Sequence, residues 1–163
     1  MPQLVKGGKH TFGWSRVGDT GWIIIPPGAL EEYRLKESEK LILAPGSQTS
    51  GGFGLGSQES VKRSPLGVAV DVHPSLGEFG VPEGEVIEYE GKPYCWVELR
   101  NGGVAVPPET LEKYGIRIGD KLLVIRGSGL AIGFAVRGPI VEEAKKHRGL
   151  EIFEPETRKA DPA

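Results

Sequence analysis

The chain has 163 residues, with 20 Lys and Arg against 22 Asp and Glu, so its formal net charge is −2. That length allows one ordinary domain, or two small ones sharing a core. The near-neutral charge excludes the strong overall basic excess that supplies much phosphate affinity, leaving only a local basic patch for any nucleic-acid contact.

Taken in order, Thr11 to Arg16 reads as a strand, Gly18-Asp19-Thr20-Gly21 as a turn and Ile23 to Ile25 as a β-branched strand. Pro26 cannot donate to a ladder, and Pro27 suits the first turn of a helix. Leu30 and Tyr33, three residues apart, share one face of that helix. Lys40 to Leu43 is a further strand, and Gly51 to Gly56 is either a weak Gly-rich strand or a mobile loop that contacts a ligand. Leu66 to Val72 is a candidate strand, and the Gly- and Pro-rich stretch from His73 to Gly84 is a connector. Val86 to Glu90 and Lys92 to Val97 suit a hairpin around Glu90-Gly91, and Pro93 to Leu99 reads as a strand. After the Asn101-Gly102 turn come a strand from Val104 to Val106, the pair Pro107-Pro108, and a helix with Leu111 and Tyr114. Gly115 offers that helix a left-handed stop, where the earlier helix has the costlier Arg34. Lys121 to Ile125 and Gly129 to Val136 follow as strands, Ile140 to His147 as a helix with an apolar stripe, and Leu150 to Phe153 as a last strand.

The two Pro-Pro units are copies of one another. Displaced by 81 positions, GWIIIPPGALEEYRLKESEKLILAPGS lies over GGVAVPPETLEKYGIRIGDKLLVIRGS. Gly21/Gly102, Leu30/Leu111, Tyr33/Tyr114 and Lys40/Lys121 are identical, and Ile23/Val104 and Leu35/Ile116 keep their character. Helices of about two turns do not persist alone in water, so their Leu/Tyr faces must dock on strands. The expected organisation is residues 1–72 as a first repeat with an extension and 73–84 as a connector. Residues 85–153 form a second repeat with a C-terminal helix and strand, and 154–163 a frayed tail.

The stretch GGVAVPPETLEKYGIRIGDKLLVI resembles the SpoVT/AbrB family: strand, Pro, short Leu-containing helix, Gly-hydrophobic, Gly-Asp-Lys, strand. The match is looser in the first repeat, where Ser38-Glu39-Lys40 stands for Gly119-Asp120-Lys121. The resemblance implies a mainly β fold with short helices, namely a swapped-hairpin, cradle-loop-type β-barrel formed as an intramolecular pseudo-dimer. It also implies a DNA-binding transcriptional regulator that is not an enzyme. The basic residues carried over are Lys6, Lys9, Arg16, Lys92 and Arg100 around the hairpins and Lys113 on a helix. Glu31, Glu32 and Glu112 stand where family members often carry Arg.

Other features favour plain structural roles. Trp14 and Trp96 fit the core of the barrel better than a stacking platform. The lone Cys95 lies in an apolar run and suits a buried thiol; it excludes an intramolecular disulfide framework and a Cys-based zinc site. His10, His73 and His147 show no ligand spacing, so neither metal nor cofactor is expected. The glycines from Gly127 to Gly133 match no phosphate-loop pattern and suit a turn between strands, and no catalytic motif occurs. Glu78, Glu83, Glu85, Glu88 and Glu90 read as a solvated connector. No signal-peptide pattern or spanning apolar run is seen, which points to a cytoplasmic protein without membrane partners. Two functional readings stand. One is a regulator binding duplex DNA; the other is a protein-interaction or small-ligand-binding barrel without DNA. The chain is expected as a monomer with an internal pseudo-twofold or as a homodimer.

Overall fold

A computed structural model describes residues 3–4, 10–63, 79–126, 131–147 and 149–154. The candidate strand from Leu66 to Val72 and the Gly127–Gly129 turn lie outside these. The strands are β1 (Gln3–Leu4), β2 (His10–Arg16), β3 (Trp22–Ile24), β4 (Lys40–Pro45), β5 (Phe53–Ser57) and β6 (Ile87–Tyr89). They continue with β7 (Lys92–Glu98), β8 (Gly103–Ala105), β9 (Lys121–Arg126), β10 (Ile132–Ala135) and β11 (Ile152–Phe153). Four short helices, α1 (Pro27–Glu32), α2 (Gln58–Lys62), α3 (Pro108–Lys113) and α4 (Pro139–Ala144), complete the described elements. The protein is therefore mainly β with short helices.

Local grammar accounts for most of these elements. Pro26 and Pro107 take extended angles and cap α1 and α3, with Pro27 and Pro108 as first helical residues. The helices end in the left-handed region, at Gly115 in the second repeat and at Arg34, with φ 56°, in the first. The β6–β7 hairpin turns on Glu90 and Gly91, both with positive φ as a tight two-residue hairpin requires. Gly51–Gly56 is not a loop throughout. From Phe53 it is strand β5, paired on both sides, because its non-glycine residues Phe53 and Leu55 are both fully buried on one face.

The pairing exchanges partners between repeats. β2 of the first repeat lies beside β9 of the second, with Trp14 opposite Leu123; β7 of the second lies beside β4 of the first, with Trp96 opposite Ile42. Two registers pair a residue with its own repeat counterpart, Phe53 with Phe134 and Ile23 with Val104. The main sheet runs β1-β2-β9-β10-β5-β4-β7-β6, with β11 also on β2. That order reads alike from either end of its six central strands when the repeats are exchanged.

The closed barrel expected from the sequence is not formed by this pairing. The main sheet is open, and β3 and β8 leave it to make a separate two-stranded ribbon. The reason lies at the edges. The outer edge of β2 is taken by β1 and β11 and that of β7 by β6, so β2 and β7 have no free ladder with which to join each other.

The central core is nevertheless built jointly. Leu41, Leu43, Phe53 and Ile23 pack with Leu122, Val124, Phe134 and Val104 in one buried cluster. Phe53 and Phe134 stack at 4.7 Å, and Tyr114 meets Phe53 edge-on at 5.8 Å. The two helices do not dock equally. Leu111 and Tyr114 are buried, whereas Leu30 and Tyr33 are only partly so. Strand alternation sends Ile42, Ala44, Leu123 and Ile125 to the other face, where two smaller clusters form.

Candidate nucleic-acid interface

At each end of the ribbon, the loop after one repeat's helix meets the hairpin turn of the other repeat. After α1, the Lys36 N–H donates to Glu39 Oε1 at 3.0 Å; after α3, the Arg117 N–H donates to Asp120 Oδ2 at 2.8 Å. The two loops thus share one carboxylate-closed turn. Each is stitched across the repeats, by Ser38 N–H to Leu99 O at 2.7 Å and Gly119 N–H to Val17 O at 2.9 Å. Glu37 also accepts the Asn101 N–H at 2.7 Å. Lys36 and Arg117 are repeat counterparts, both exposed, and among the described residues neither forms an ion pair. They were not selected from the sequence. The signal was there, a basic residue at the same offset in both copies.

The residues selected from the sequence are not gathered into one patch. Lys6 and Lys9 lie outside the described residues. Arg16 ends β2, where its guanidinium donates to Gly119 O at 3.1 Å and to Glu154 at 3.2 Å. Arg100 follows β7, which four strands separate from β2 in the sheet order, and is held by Glu83 at 3.0 Å and Glu98 at 3.1 Å. The hydrogen bond from Arg100 to Glu83 is the main cause raising the pKa of its guanidinium. Lys92 is exposed on the β6–β7 hairpin and Lys113 on α3. The register also shows that these charges do not repeat. Arg16 faces Lys121, whereas Glu98 occupies the matching place opposite Lys40.

Glu85, Glu88 and Glu90 are exposed, as a solvated connector requires, but Glu83 is not free in solvent. Its carboxylate accepts the Glu98 N–H at 2.7 Å as well as the Arg100 fork. It belongs to a strap, residues 79–84, which lies over Trp96. Trp96 Nε1 donates to Val81 O at 2.7 Å, Phe79 meets the indole edge-on at 5.5 Å, and Gly84 N–H donates to Trp96 O at 2.8 Å. Thr110 Oγ1, on α3, donates to Gly84 O at 2.7 Å. On the other flank β11 plays the same part, with Trp14 N–H donating to Glu151 O at 2.8 Å. Both tryptophans are buried, but in the two outer clusters and not in the central core. A satellite site suits them because the straps and α4 supply apolar cover on a face that the repeats alone leave bare.

Cys95 and Tyr114 form a buried pair, with the phenol hydroxyl 3.9 Å from Sγ and donating to Pro93 O at 3.2 Å. Burial pushes the Cys95 thiol up to about 12 and raises Tyr114 as well. A thiol held protonated is a poor nucleophile. The central strands β4, β5, β10 and β9, with Val61 of α2, line a cavity of about 370 Å³. Its floor is the bare backbone of Gly54, Gly56 and Gly133, and Ala44, Ile125 and Ala135 form part of its walls. No helix among the described residues is long and apolar enough to cross a membrane.

No protein-family model matches this chain, nor does any curated protein sequence or solved structure.

Proposed function

We propose that the chain is a swapped-hairpin unit of SpoVT/AbrB type, made as an intramolecular pseudo-dimer, and that it acts as a DNA-binding regulator. The observation that carries this reading is the exchange of partners, Trp14 opposite Leu123 and Trp96 opposite Ile42. Such an exchange is what a swapped hairpin means, here within one chain. The β3–β8 ribbon packs Ile23 and Val104 into the joint core and is tied to β2 by the Ser15 hydroxyl, which donates to Ile24 O at 2.6 Å. The functional step rests on the family resemblance. It is supported by the repeat-related pair Lys36 and Arg117 at the two junctions, with Arg100 just after β7 near the first and Arg16 at the end of β2 near the second. Paired cations of this kind suit the backbones of a duplex site with approximate twofold symmetry.

The test is duplex binding across a salt titration, using DNA upstream of the protein's own gene and an unrelated duplex. The expected result is an affinity that falls steeply with salt and drops further in Lys36→Ala, Arg117→Ala, Arg16→Ala and Arg100→Ala. Each neutralised contact lowers the log–log salt slope by about 0.9. Absence of binding to any duplex at low salt refutes the reading.

A second reading is favoured by one observation, that Arg16 and Arg100 are already matched by carboxylates of the same chain. On that reading the unit is a module without DNA binding, and the glycine-floored cavity, at the small end of ligand-site volumes, is its working feature. Persistent failure to bind duplex, together with a small molecule that raises the melting temperature, would select it.

A further inference from the structure

We propose that the two straps carry built-in competitors for phosphate. Glu154 and Glu83 occupy the guanidinium groups of Arg16 and Arg100 and hold down the protein's affinity for DNA. The inference rests on the DNA-binding reading and adds its regulation.

The placement is a consequence of the fold. β11 runs parallel to β2 with Ile152 level with Trp14 and Phe153 level with Ser15, so the next residue, Glu154, falls level with Arg16. On the opposite flank, the strap that covers Trp96 brings Glu83 against Arg100, with both carboxylate oxygens near the fork at 3.0 and 3.4 Å. The two straps come from stretches outside the repeated core and share no sequence pattern. Each nevertheless covers one of the two equivalent tryptophans and delivers a carboxylate to an arginine of the adjoining hairpin. A carboxylate presents to a guanidinium the same pair of acceptor oxygens as a phosphate diester.

The contacts are also weak enough to be displaced. The side chains of the Arg16–Glu154 pair are 38% and 56% exposed, and that of Arg100 is 48% exposed. Ion pairs this exposed contribute little to stability. A polyanion that releases counterions on binding can outcompete them. Glu83 is more enclosed, at 24%, and its second role, accepting the Glu98 N–H, keeps it in place when Arg100 leaves.

The experiment uses the full chain and a fluorescently labelled duplex, read by anisotropy across a salt series. The variants are Glu154→Gln, Glu83→Gln and the pair combined, with Glu142→Gln as a control whose carboxylate pairs with Lys145, just after α4. Glutamine keeps an acceptor oxygen for the Glu98 N–H, so the strap is retained. The expected result is a tightening of about twofold to fivefold at each strap site, the worth of one exposed ion pair. The salt slope should steepen by about 0.9 for each arginine released. The control should gain less, and Arg16→Ala should abolish the gain from Glu154→Gln. Wild-type binding that the strap variants leave unchanged, or that the control improves equally, overturns the inference while sparing the DNA-binding reading. Loss of binding in every form, variants included, overturns both. Should Glu83→Gln fail to fold, the Glu154 and Arg16 cycle alone decides.

Discussion

Lys121 holds its ammonium 5.0 Å from the centre of the Trp14 ring, and its repeat counterpart Lys40 sits 5.1 Å from Trp96. Each pair joins the strand after one repeat's helix, β9 or β4, to the long strand before the other repeat's ribbon strand, β2 or β7. Two residues that are diagonal neighbours only because partners are exchanged thus meet twice, in nearly the same geometry. Lys121→Met, which keeps the stem and removes the charge, is expected to cost about 0.5–1 kcal/mol. Trp14→Ala should cost about 3–5 kcal/mol through the cavity it leaves. Denaturant unfolding of both variants and the double variant gives the coupling directly. Additive effects, with no coupling between the two sites, would mean that the ammonium contributes nothing beyond its stem.

The helix ends give a second prediction with opposite signs in the two repeats. Arg34 and Gly115 are counterparts in the left-handed region, at φ 56° and 78°. A Cβ added at Gly115 meets nothing within 4 Å, so its substitution is governed by backbone conformation alone. Arg34→Gly should therefore stabilise the protein by about 1 kcal/mol and Gly115→Ala should destabilise it by a similar amount. Melting temperatures moving the same way in both would contradict the shared stop.

Gly13 governs the strap over Trp14. It has φ 120° at the bulge of β2, and a Cβ there would come within 2.6 Å of Glu151 O. Gly13→Ala should cost about 2 kcal/mol or more and loosen β11 first. Amide exchange should rise at Trp14, whose N–H is bonded to Glu151 O. Unchanged protection at Trp14 would show that the strap tolerates the side chain.

The buried thiol sets a pH dependence. Its ordinary value is 9.0 and the fold raises it to about 12, so the folded protein keeps the proton through a range where the unfolded chain releases it. The contribution to stability is fully present below pH 9 and is lost as pH rises toward 12. The slope for this one proton is about 1.4 kcal/mol per pH unit. Tyr114, also raised, adds loss above pH 10. Urea unfolding at pH 8 and pH 10.5 should show the wild type losing more stability than Cys95→Ala. Thiol reagents should label Cys95 only as fast as the protein opens.

Much of the local structure was legible because it depends on neighbours in sequence. The Pro-Pro helix starts, the stops at Arg34 and Gly115, and the turn at Glu90-Gly91 are each set by a few adjacent backbones. The strap at 79–84 was not legible. Its hold on Trp96 comes from backbone carbonyls and one carboxylate, and Glu83 looks like any glutamate in an acidic run until Arg100 is brought beside it. Nor was the depth difference between α1 and α3, since Leu30 and Leu111 are the same residue in the same motif.

By itself the sequence determined that there are two like units, which segments are strands, and which faces seek burial. Which strand lies beside which was a tertiary decision. Apolar alternation in β4 and β9 is satisfied equally by a partner from either repeat, since both offer the same pattern. Choice falls to what the rest of the chain can reach and cover. Here the ribbon through Ile23 and Val104, the stacked Phe53 and Phe134, and the straps over the tryptophans all form together with the repeats' strands exchanged.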